Sequence, residues 1–179
     1  MHIRLAVEGD FLAMWGIFQE VVRVETTYVF AAGTSRDDAY AYWFGAGVTA
    51  FVAEEDGAVA GMYKLVANQR DLGAHVANAS FMVDPRCAGR GIGRRLAEHC
   101  LVEARRAGYL AMQFNFVVST NTAAVRLWQS LGFAIVGTLP QVFRHRELGL
   151  VDAYVMHRFL DDGVPLPAPA QLLQTTSNE

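Results

Sequence analysis

A glycine-rich turn between an apolar segment and a helix is the part of this chain best suited to chemistry. The turn follows Phe81–Val83 and contains Gly89, Gly91, Gly93, Arg86, Arg90, Arg94 and Arg95. Because glycine has no Cβ, several backbone N–H groups of such a turn can point into one concavity. The helix N-terminus adds partial positive charge and the arginines add full charge. The turn therefore predicts a phosphate site, and best of all a pyrophosphate site.

Two other glycine-rich phosphate sites fit this turn less well. A P-loop needs Lys and then Ser or Thr after its last glycine, whereas two arginines follow Gly93. A dinucleotide site needs a third glycine where the chain has Leu96. It also needs an acid on the next strand, which offers Gln113 and Asn115 instead. The sequence therefore excludes a P-loop and gives only weak support to a dinucleotide site.

Two segments resemble motifs of the GNAT acetyltransferases. Ala88–Gly93 resembles Arg/Gln-x-x-Gly-x-Gly/Ala, with an alanine as a departure at its first position. Asn121–Phe133 resembles Asn-x-x-Ala-hydrophobic-x-Leu-Tyr-x-x-x-Gly-Phe, with Trp128 in place of the tyrosine. The two motifs have the order and spacing of the family, with a strand between them. The resemblance extends from the first strand to about Leu160.

The resemblance implies an α/β fold with a mixed, mostly antiparallel sheet of seven strands, splayed central strands and about four helices. The alternation of strand-like and helix-like segments also supports an α/β class. The predicted strands are Ile3–Val7, Val48–Glu54, Ala58–Val66, His75–Val83, Tyr109–Val118, Phe133–Leu139 and Val151–Phe159. The predicted helices begin near Asp10 and Ser35 and cover Gly91–Arg106 and Thr122–Leu131. A polar loop with Arg144, His145 and Arg146 is expected between the last two strands.

The resemblance also implies that the phosphate ligand is acetyl-CoA, a co-substrate, and that no metal is needed. Its pyrophosphate would lie on the glycine turn and its acetyl carbonyl over the end of the Phe81–Val83 strand. A backbone N–H there would stabilise the developing oxyanion. The predicted cofactor-binding residues are Met82, Val83, Gly89, Arg90, Gly91, Ile92, Gly93, Arg94, Asn121 and Trp128.

Two asparagines on otherwise apolar strands are candidate acceptor residues. Strand alternation places Asn78 on one face with Ser80 and Met82, and Asn115 on one face with Val117. A buried amide needs hydrogen-bond partners, so each side chain either bonds to a neighbouring loop or meets substrate. Strand alternation alone does not decide between these two roles.

A narrower resemblance favours the second role. The segments around both asparagines, together with Trp128, are similar to the branch that contains the yeast acetyltransferase of proline analogues such as azetidine-2-carboxylate. It implies that Asn78 and Asn115 act catalytically and bind the acceptor, a small-molecule amine. Glu25 and Tyr28 lie in a loop that lines the acceptor pocket by the same resemblance, although an ordinary polar loop is an equal alternative.

Trp128 takes the position where the family commonly has a tyrosine as general acid. An indole N–H donates a hydrogen bond but gives up no proton. The leaving thiolate is the conjugate base of a thiol with a pKa near 8.5, so it needs less help from a general acid than an alkoxide does. A deprotonated amine near the asparagines would therefore attack directly, and the base, an ordered water or Glu25, stays unassigned.

Composition limits the other functions. The chain has 179 residues and a formal net charge of −3, so one domain is expected and nucleic acid is disfavoured. Residues 1–160 form the predicted acetyltransferase domain, and 161–179 form a proline-containing tail. The absence of a long apolar run and the two unpaired cysteines indicate a cytoplasmic protein without membrane contact. No metal-ligand spacing occurs among the histidines. The alternative functions are acetylation of another small amine or of a peptide, and a non-catalytic acyl-CoA-binding module. A homodimer is the expected assembly.

Overall fold

Residues 1–160 are described in the computed structural model, where seven strands form one sheet and four α-helices flank it. The strands are β1 (His2–Leu5), β2 (Thr49–Glu55), β3 (Ala58–Ala67), β4 (Val76–Val83), β5 (Ala111–Val118), β6 (Ala134–His145) and β7 (Gly149–Phe159). The helices are α1 (Phe11–Arg23), α2 (Arg36–Phe44), α3 (Ile92–Arg106) and α4 (Thr122–Ser130). This arrangement confirms the predicted α/β fold. The predicted tail, 161–179, lies outside the described residues.

The sheet has the order β1-β2-β3-β4-β5-β7-β6. All neighbours are antiparallel except β4 and β5, which run parallel in the centre. Their pairing is limited to Val76 with Ala111 and Ala77 with Met112. Beyond these two pairs the strands diverge, as expected of splayed central strands, and they leave a gap at the carboxyl end of β4.

Two hydrophobic cores cover the faces of the sheet. The face under α1 and α2 buries Met14, Phe18, Trp43, Val52, Met62 and Met82. The face under α3 and α4 buries Tyr63, Leu96, Cys100, Met112, Phe114 and Trp128. Helix α2 begins where the sequence predicts, because the Ser35 hydroxyl accepts a hydrogen bond from the Asp38 N–H at 3.0 Å. Both cores therefore lie between helices and a sheet that is covered on both sides.

Gly61 of β3 determines how closely the start of α3 approaches the sheet. A Cβ on Gly61 would lie 3.0 Å from Leu96 Cδ1, 3.1 Å from Ile92 Cγ2 and 3.2 Å from the Met82 carbonyl oxygen. Any side chain here would push α3 away from β3 and β4. The glycine therefore helps to hold the N-terminus of α3 against the end of β4.

The last hairpin differs from the prediction. Strand β6 continues beyond Leu139 to His145, so the expected polar loop is largely strand. A register shift between Leu139 and Phe143, with Gln141 at φ +54°, accommodates Pro140 on this edge strand. The irregularity explains why a proline-containing polar segment still pairs with β7.

A second difference concerns the faces of β5. The pairing of β5 with β7 shifts between Phe114 and Val117, so alternation is broken there. Val117 consequently packs in the same core as Phe114 and does not share the face of Asn115. The expectation that Val117 lies on the face of Asn115 was therefore wrong.

Candidate active site

A cavity of about 270 Å³ occupies the gap between the diverging strands. Its lining comes from the loop after α1, from α2, from β4 and β5, and from α4. The lining residues are Thr27, Tyr28, Val29, Phe30, Tyr42, Asn78, Ala79, Ser80, Phe81, Phe114, Asn115, Phe116, Val117, Val118, Asn121, Ala124 and Trp128. No lining side chain carries a formal charge. The cavity therefore suits a small ligand recognised by hydrogen bonds and apolar contact.

Three aromatic rings close one side of this cavity. The Trp128 ring centroid lies 4.9 Å from that of Phe81 and 4.6 Å from that of Phe114, and Trp128 is 8% exposed. The rings pack on the face of the sheet that α3 and α4 cover. They fill the wedge between β4 and β5 where backbone pairing has ended. Trp128 therefore contributes apolar surface, and its indole holds no ionisable proton.

Tyr28 replaces the missing strand partner of Phe81. The Phe81 N–H donates to the Tyr28 hydroxyl at 3.1 Å, and the same hydroxyl donates to the Phe81 carbonyl oxygen. Burial raises the pKa of Tyr28, which keeps the hydroxyl protonated at neutral pH. The Tyr28 hydroxyl thus satisfies the backbone groups of Phe81 that have no partner on β5. An incoming ligand can take the place of this hydroxyl.

The backbone N–H groups of β4 point alternately toward β3 and toward the gap, which determines which residues can contact a ligand there. The Asp84 N–H donates to Ala60 of β3, and the Phe81 N–H points to the opposite edge. Val83, two residues after Phe81, presents its backbone to the same edge as Phe81. Met82 falls between them, and its side chain is buried at 2% exposure in the core under α1 and α2. The structure therefore brings Val83, but not Met82, to the gap.

Both predicted asparagines line the cavity. The Asn78 side chain has no hydrogen-bond partner within residues 1–160, so its amide is available to a ligand. Asn115 Nδ2 donates to Asn68 Oδ1 at 2.6 Å, and Asn115 Oδ1 accepts from Gln113 Nε2 at 2.8 Å. Each of these amide atoms can form one more hydrogen bond. Neighbouring groups thus hold Asn115 in place while it still faces the cavity.

The glycine turn lies directly after β4, where the sequence places it. Gly89 and Gly91 have φ angles of +79° and +76°, which favour glycine over other residues. Gly91 precedes the first turn of α3, whose first intrahelical bond runs from the Arg95 N–H to the Gly91 carbonyl oxygen. The N–H groups of Ile92, Gly93 and Arg94 therefore have no acceptor within the helix. These free donors form a cradle for an anion.

The arginines around the turn are partly neutralised. Arg86 pairs with the buried Asp84 at 2.6 Å, and this contact lowers the pKa of the Asp84 carboxyl group. Arg90 lies 3.3 Å from Glu55. Arg94 donates to the Ser130 hydroxyl at 2.8 Å and lies 3.5 Å from Glu98.

Arg95 is the exception among these arginines. It is exposed in the first turn of α3 and has no carboxylate within ion-pair distance among the described residues. The full positive charge that the sequence predicted for this turn is therefore carried best by Arg95.

Two more predicted residues have clear places in the structure. Asn121 caps α4 by accepting the Ala124 N–H at 3.2 Å, and it also lines the cavity. Glu25, at φ +53°, lies outside the cavity lining, and its carbonyl oxygen accepts the Arg146 N–H at 3.2 Å. The structure thus brings Asn121 to the site and leaves Glu25 at its periphery.

Sequence reasoning missed several members of the site. Tyr42 lies in the helix predicted to begin near Ser35, which was given no role in the site, and Ser80 was noted only as a neighbour of Asn78. Their hydroxyl oxygens are 2.5 Å apart and both line the cavity. The alternation that places Asn78 on this face also places Ser80 there, so that signal was present. The contribution of Tyr42 depends on the docking of α2, which no local pattern reveals.

The remaining histidine and acid side chains form no metal centre within residues 1–160. His145, which was expected in a polar loop, is only 8% exposed, and its Nδ1 accepts the N–H groups of Glu147 and Leu148. It therefore shapes the β6–β7 turn. No helix in this part of the chain is long and apolar enough to cross a membrane.

Comparison with known proteins assigns the class. The family model described as Acetyltransferase (GNAT) family matches residues 16–133, which contain both the cavity and the glycine turn. The chain therefore belongs to the GNAT family of N-acetyltransferases.

Two relatives and two solved structures show how far the similarity extends. N-acetyltransferase aca1 of Schizosaccharomyces pombe is 39% identical over 83 residues, 46% of this chain and 40% of that protein. The L-methionine sulfoximine/L-methionine sulfone acetyltransferase of Salmonella typhimurium is 32% identical over 148 residues, 79% of this chain and 85% of that protein. Because the chain spans only 40% of aca1, the narrower resemblance to the proline-analogue branch stays a prediction.

The solved structures agree with the fold over nearly its whole length. A GCN5-related N-acetyltransferase from Kribbella flavida superposes with a TM-score of 0.84 and 41% identity, covering 88% of this chain and 96% of that one. The yncA structure from Salmonella typhimurium, which contains its cofactor acetyl-CoA, has a TM-score of 0.80 and 29% identity, covering 94% and 98%.

Proposed function

We propose that this protein transfers the acetyl group of acetyl-CoA to the amino nitrogen of a small amino acid or a close analogue of one. The observation that carries the proposal is the uncharged cavity between β4 and β5, together with the free N–H groups of the glycine turn that follows β4. Asn78 and Asn115 face the cavity from its two strands. The acetyl-CoA complex of yncA supports the choice of donor. The amino-acid derivatives acetylated by the Salmonella relative support the choice of acceptor.

The donor would bind along the edge of β4 that the divergence exposes. Its pyrophosphate fits the N–H groups after Gly91, with Arg95 as the nearby cation that has no ion pair within residues 1–160. Its acyl oxygen would accept the Phe81 N–H in place of the Tyr28 hydroxyl. A preorganised backbone donor of this kind stabilises the charge that develops on that oxygen.

The chemical step needs little acid or base help from the protein. The neutral amine attacks the acyl carbon, a C–N bond forms and the C–S bond breaks. The displaced thiolate takes up the proton that the nitrogen loses, directly or through water, so charge and atoms balance. Asn78 and Asn115 would orient the amine, and proximity would supply much of the acceleration.

The narrower candidate is a cyclic secondary amine with a carboxylate, such as azetidine-2-carboxylate. Trp128 and the two cavity asparagines support it, because they match the proline-analogue branch residue by residue. The cavity of about 270 Å³ is large enough for such a small zwitterion. A lysine peptide fits poorly, because the cavity lining offers no carboxylate to bind a basic segment.

A thiol-release assay tests this proposal. Acetyl-CoA is incubated with azetidine-2-carboxylate, cis-4-hydroxyproline, methionine sulfone, other primary amino acids and a lysine peptide. We expect acceptor-dependent release of CoA with the small amino acids. Binding of acetyl-CoA without any acceptor-dependent release would instead identify a non-catalytic module. A wide preference for the peptide would replace the acceptor class.

Asn115 gives the first mutational prediction. Asn115→Ala should lower kcat/KM for the acceptor by roughly 10- to 1,000-fold, through loss of one or two hydrogen bonds to a charged group. Acetyl-CoA affinity, measured by calorimetry, should stay within about twofold. Gln113→Ala is the matched control, because Gln113 contacts Asn115 but does not line the cavity. An unchanged kcat/KM for Asn115→Ala would remove Asn115 from the acceptor site.

The expected homodimer and cytoplasmic location stay predictions. Light scattering of the purified protein tests the first, and fractionation of the source cells tests the second.

A further inference from the structure

Lys64 is the only lysine among the 15 lysine and arginine residues of the chain. It lies on β3, where it pairs across the strands with Ser80 of β4. Its Nζ donates to the Tyr42 carbonyl oxygen at 2.9 Å and lies 3.2 Å from the centroid of the Tyr42 ring. No carboxylate within residues 1–160 lies at ion-pair distance from it. A half-buried cation without a counter-ion is unusual and needs an explanation.

The contacts of Lys64 lead directly to the cavity. Tyr42, which Lys64 touches, and Ser80, which it faces, are both lining residues, and their hydroxyl oxygens are 2.5 Å apart. One hydroxyl hydrogen forms that bond, and the other is free to point into the cavity. Asn78 follows on the same face of β4, two residues from Ser80. The polar wall therefore runs from Lys64 through Tyr42 and Ser80 to Asn78.

The charge behind this wall is poorly solvated. Burial lowers the pKa of Lys64 to about 8, so the ammonium is the main form at neutral pH but is destabilised. Tyr42, the titratable group in contact with it, is neutral there because burial raises the pKa of its hydroxyl. No negative charge on the cavity wall compensates the ammonium. An anion at this end of the cavity would do so.

We propose that Lys64 selects acceptors with a carboxylate, which binds at the Tyr42–Ser80 end of the cavity while the amine points toward Asn78 and the edge of β4. The inference rests on the proposed function and names the group that would recognise its substrate class. The free hydroxyl hydrogen of the Tyr42–Ser80 pair donates to the carboxylate. Lys64 supplies the positive charge from behind the wall, with its contact to Tyr42 holding it in place.

Matched pairs of acceptors test the inference. The first pair is azetidine-2-carboxylate and azetidine; the second is methionine sulfone and 3-(methylsulfonyl)propylamine. Each pair differs by the carboxylate alone. The variants are Lys64→Met, which keeps the length and removes the charge, and Lys64→Arg, which keeps the charge. Thiol release gives kcat and KM, and calorimetry gives acetyl-CoA affinity.

For the wild type we expect a preference of at least tenfold in kcat/KM for one acid over its matched amine, as one charge-assisted contact provides. Lys64→Met should lower kcat/KM for the acid by roughly 10- to 100-fold, mainly through KM. It should change kcat/KM for the matched amine by less than about twofold. Lys64→Arg should restore part of the loss. Acetyl-CoA affinity should be unchanged in both variants.

The outcomes separate the two claims. If the wild type acetylates both members of each pair equally, or Lys64→Met impairs acid and amine alike, the inference on Lys64 is overturned and the proposed function stands. If the wild type acetylates neither member of either pair, the proposed function fails and the inference fails with it. Circular dichroism confirms that each variant is folded.

Discussion

At the scale of single residues, Lys64 makes stability depend on pH in a predictable direction. Its pKa is about 8 in the fold and has its ordinary value of 10.5 in the unfolded chain. Between these two values the unfolded state binds more protons, so stability due to this residue rises as pH increases. Below pH 8 both states carry the charge, and the full penalty of burying it is present.

Lys64→Met should therefore stabilise the protein at pH 7, by on the order of 1 kcal/mol once the exposed part of the side chain is discounted. Urea unfolding at pH 7, 8, 9 and 10 measures the difference between variant and wild type. The difference should shrink as pH rises from 8 toward 10.5, because the wild-type penalty disappears. Other titrating groups are common to both proteins and largely cancel. A difference that is constant across this range would contradict the burial of an unpaired charge.

Tyr28 leads to a residue-scale prediction of a different kind. Tyr28→Phe removes the hydroxyl that satisfies both backbone groups of Phe81, and should cost about 1–2 kcal/mol of stability without ligand. The variant also frees the Phe81 N–H for the acyl oxygen. We therefore expect acetyl-CoA to bind roughly 3- to 10-fold more tightly, as seen by calorimetry.

Tyr40→Phe is a suitable control for Tyr28→Phe. Its hydroxyl bonds to Glu8 at 3.4 Å, and Tyr40 does not line the cavity. Affinity should be unchanged in this control. Weaker acetyl-CoA binding by Tyr28→Phe would show that the hydroxyl supports the donor instead of competing with it.

At the scale of elements, the junction of β4 and α3 is the part to test. Gly91→Asp adds a carboxylate where the turn presents its N–H groups, and should weaken acetyl-CoA binding by roughly 100-fold or more. Gly57→Asp is a matched control, because Gly57 has φ +78° and also has open space around its Cβ position. Both variants therefore carry similar backbone strain and the same added charge. Equal affinities would remove the turn from the phosphate site.

Local patterns predict the elements of this fold well, and the turn is the clearest case. The glycines and the helix start after Pro85 fix the strand–turn–helix unit without tertiary information. Alternation also predicts that Asn78 and Ser80 share one face of β4, and both line the cavity. It fails for Val117, because the irregularity between Phe114 and Val117 depends on the pairing of β5 with β7.

The parts of the site that escaped prediction depend on long-range geometry. Lys64 lies opposite Ser80 only in the observed register of β3 and β4, which no single segment reveals. Tyr42 reaches the cavity because α2 packs over it, whereas Tyr28 was expected there only from the family resemblance. Pro140 and the polar residues near it resembled a loop, although an edge strand tolerates them.

At the scale of the whole molecule, the two paired positions between β4 and β5 divide the sheet into β1–β4 and β5–β7. A donor lying in the gap would cover the amides of β4 beyond Ala77. Hydrogen exchange should therefore slow at Phe81 and Val83 when acetyl-CoA is added, and stay unchanged at the outer strands β1 and β6. Uniform slowing across the sheet would indicate global stabilisation instead of a ligand in the gap.

The short pairing between β4 and β5 lets the cleft widen more easily than a continuous sheet would allow. Past Ala77 and Met112, no β4–β5 backbone bond has to break when the two halves of the sheet move apart. Resistance to widening comes from ring contacts among Phe81, Phe114 and Trp128, and such contacts weaken gradually with distance. If acceptor amines bind in this cleft as proposed, we therefore expect the cleft to admit side chains of different bulk.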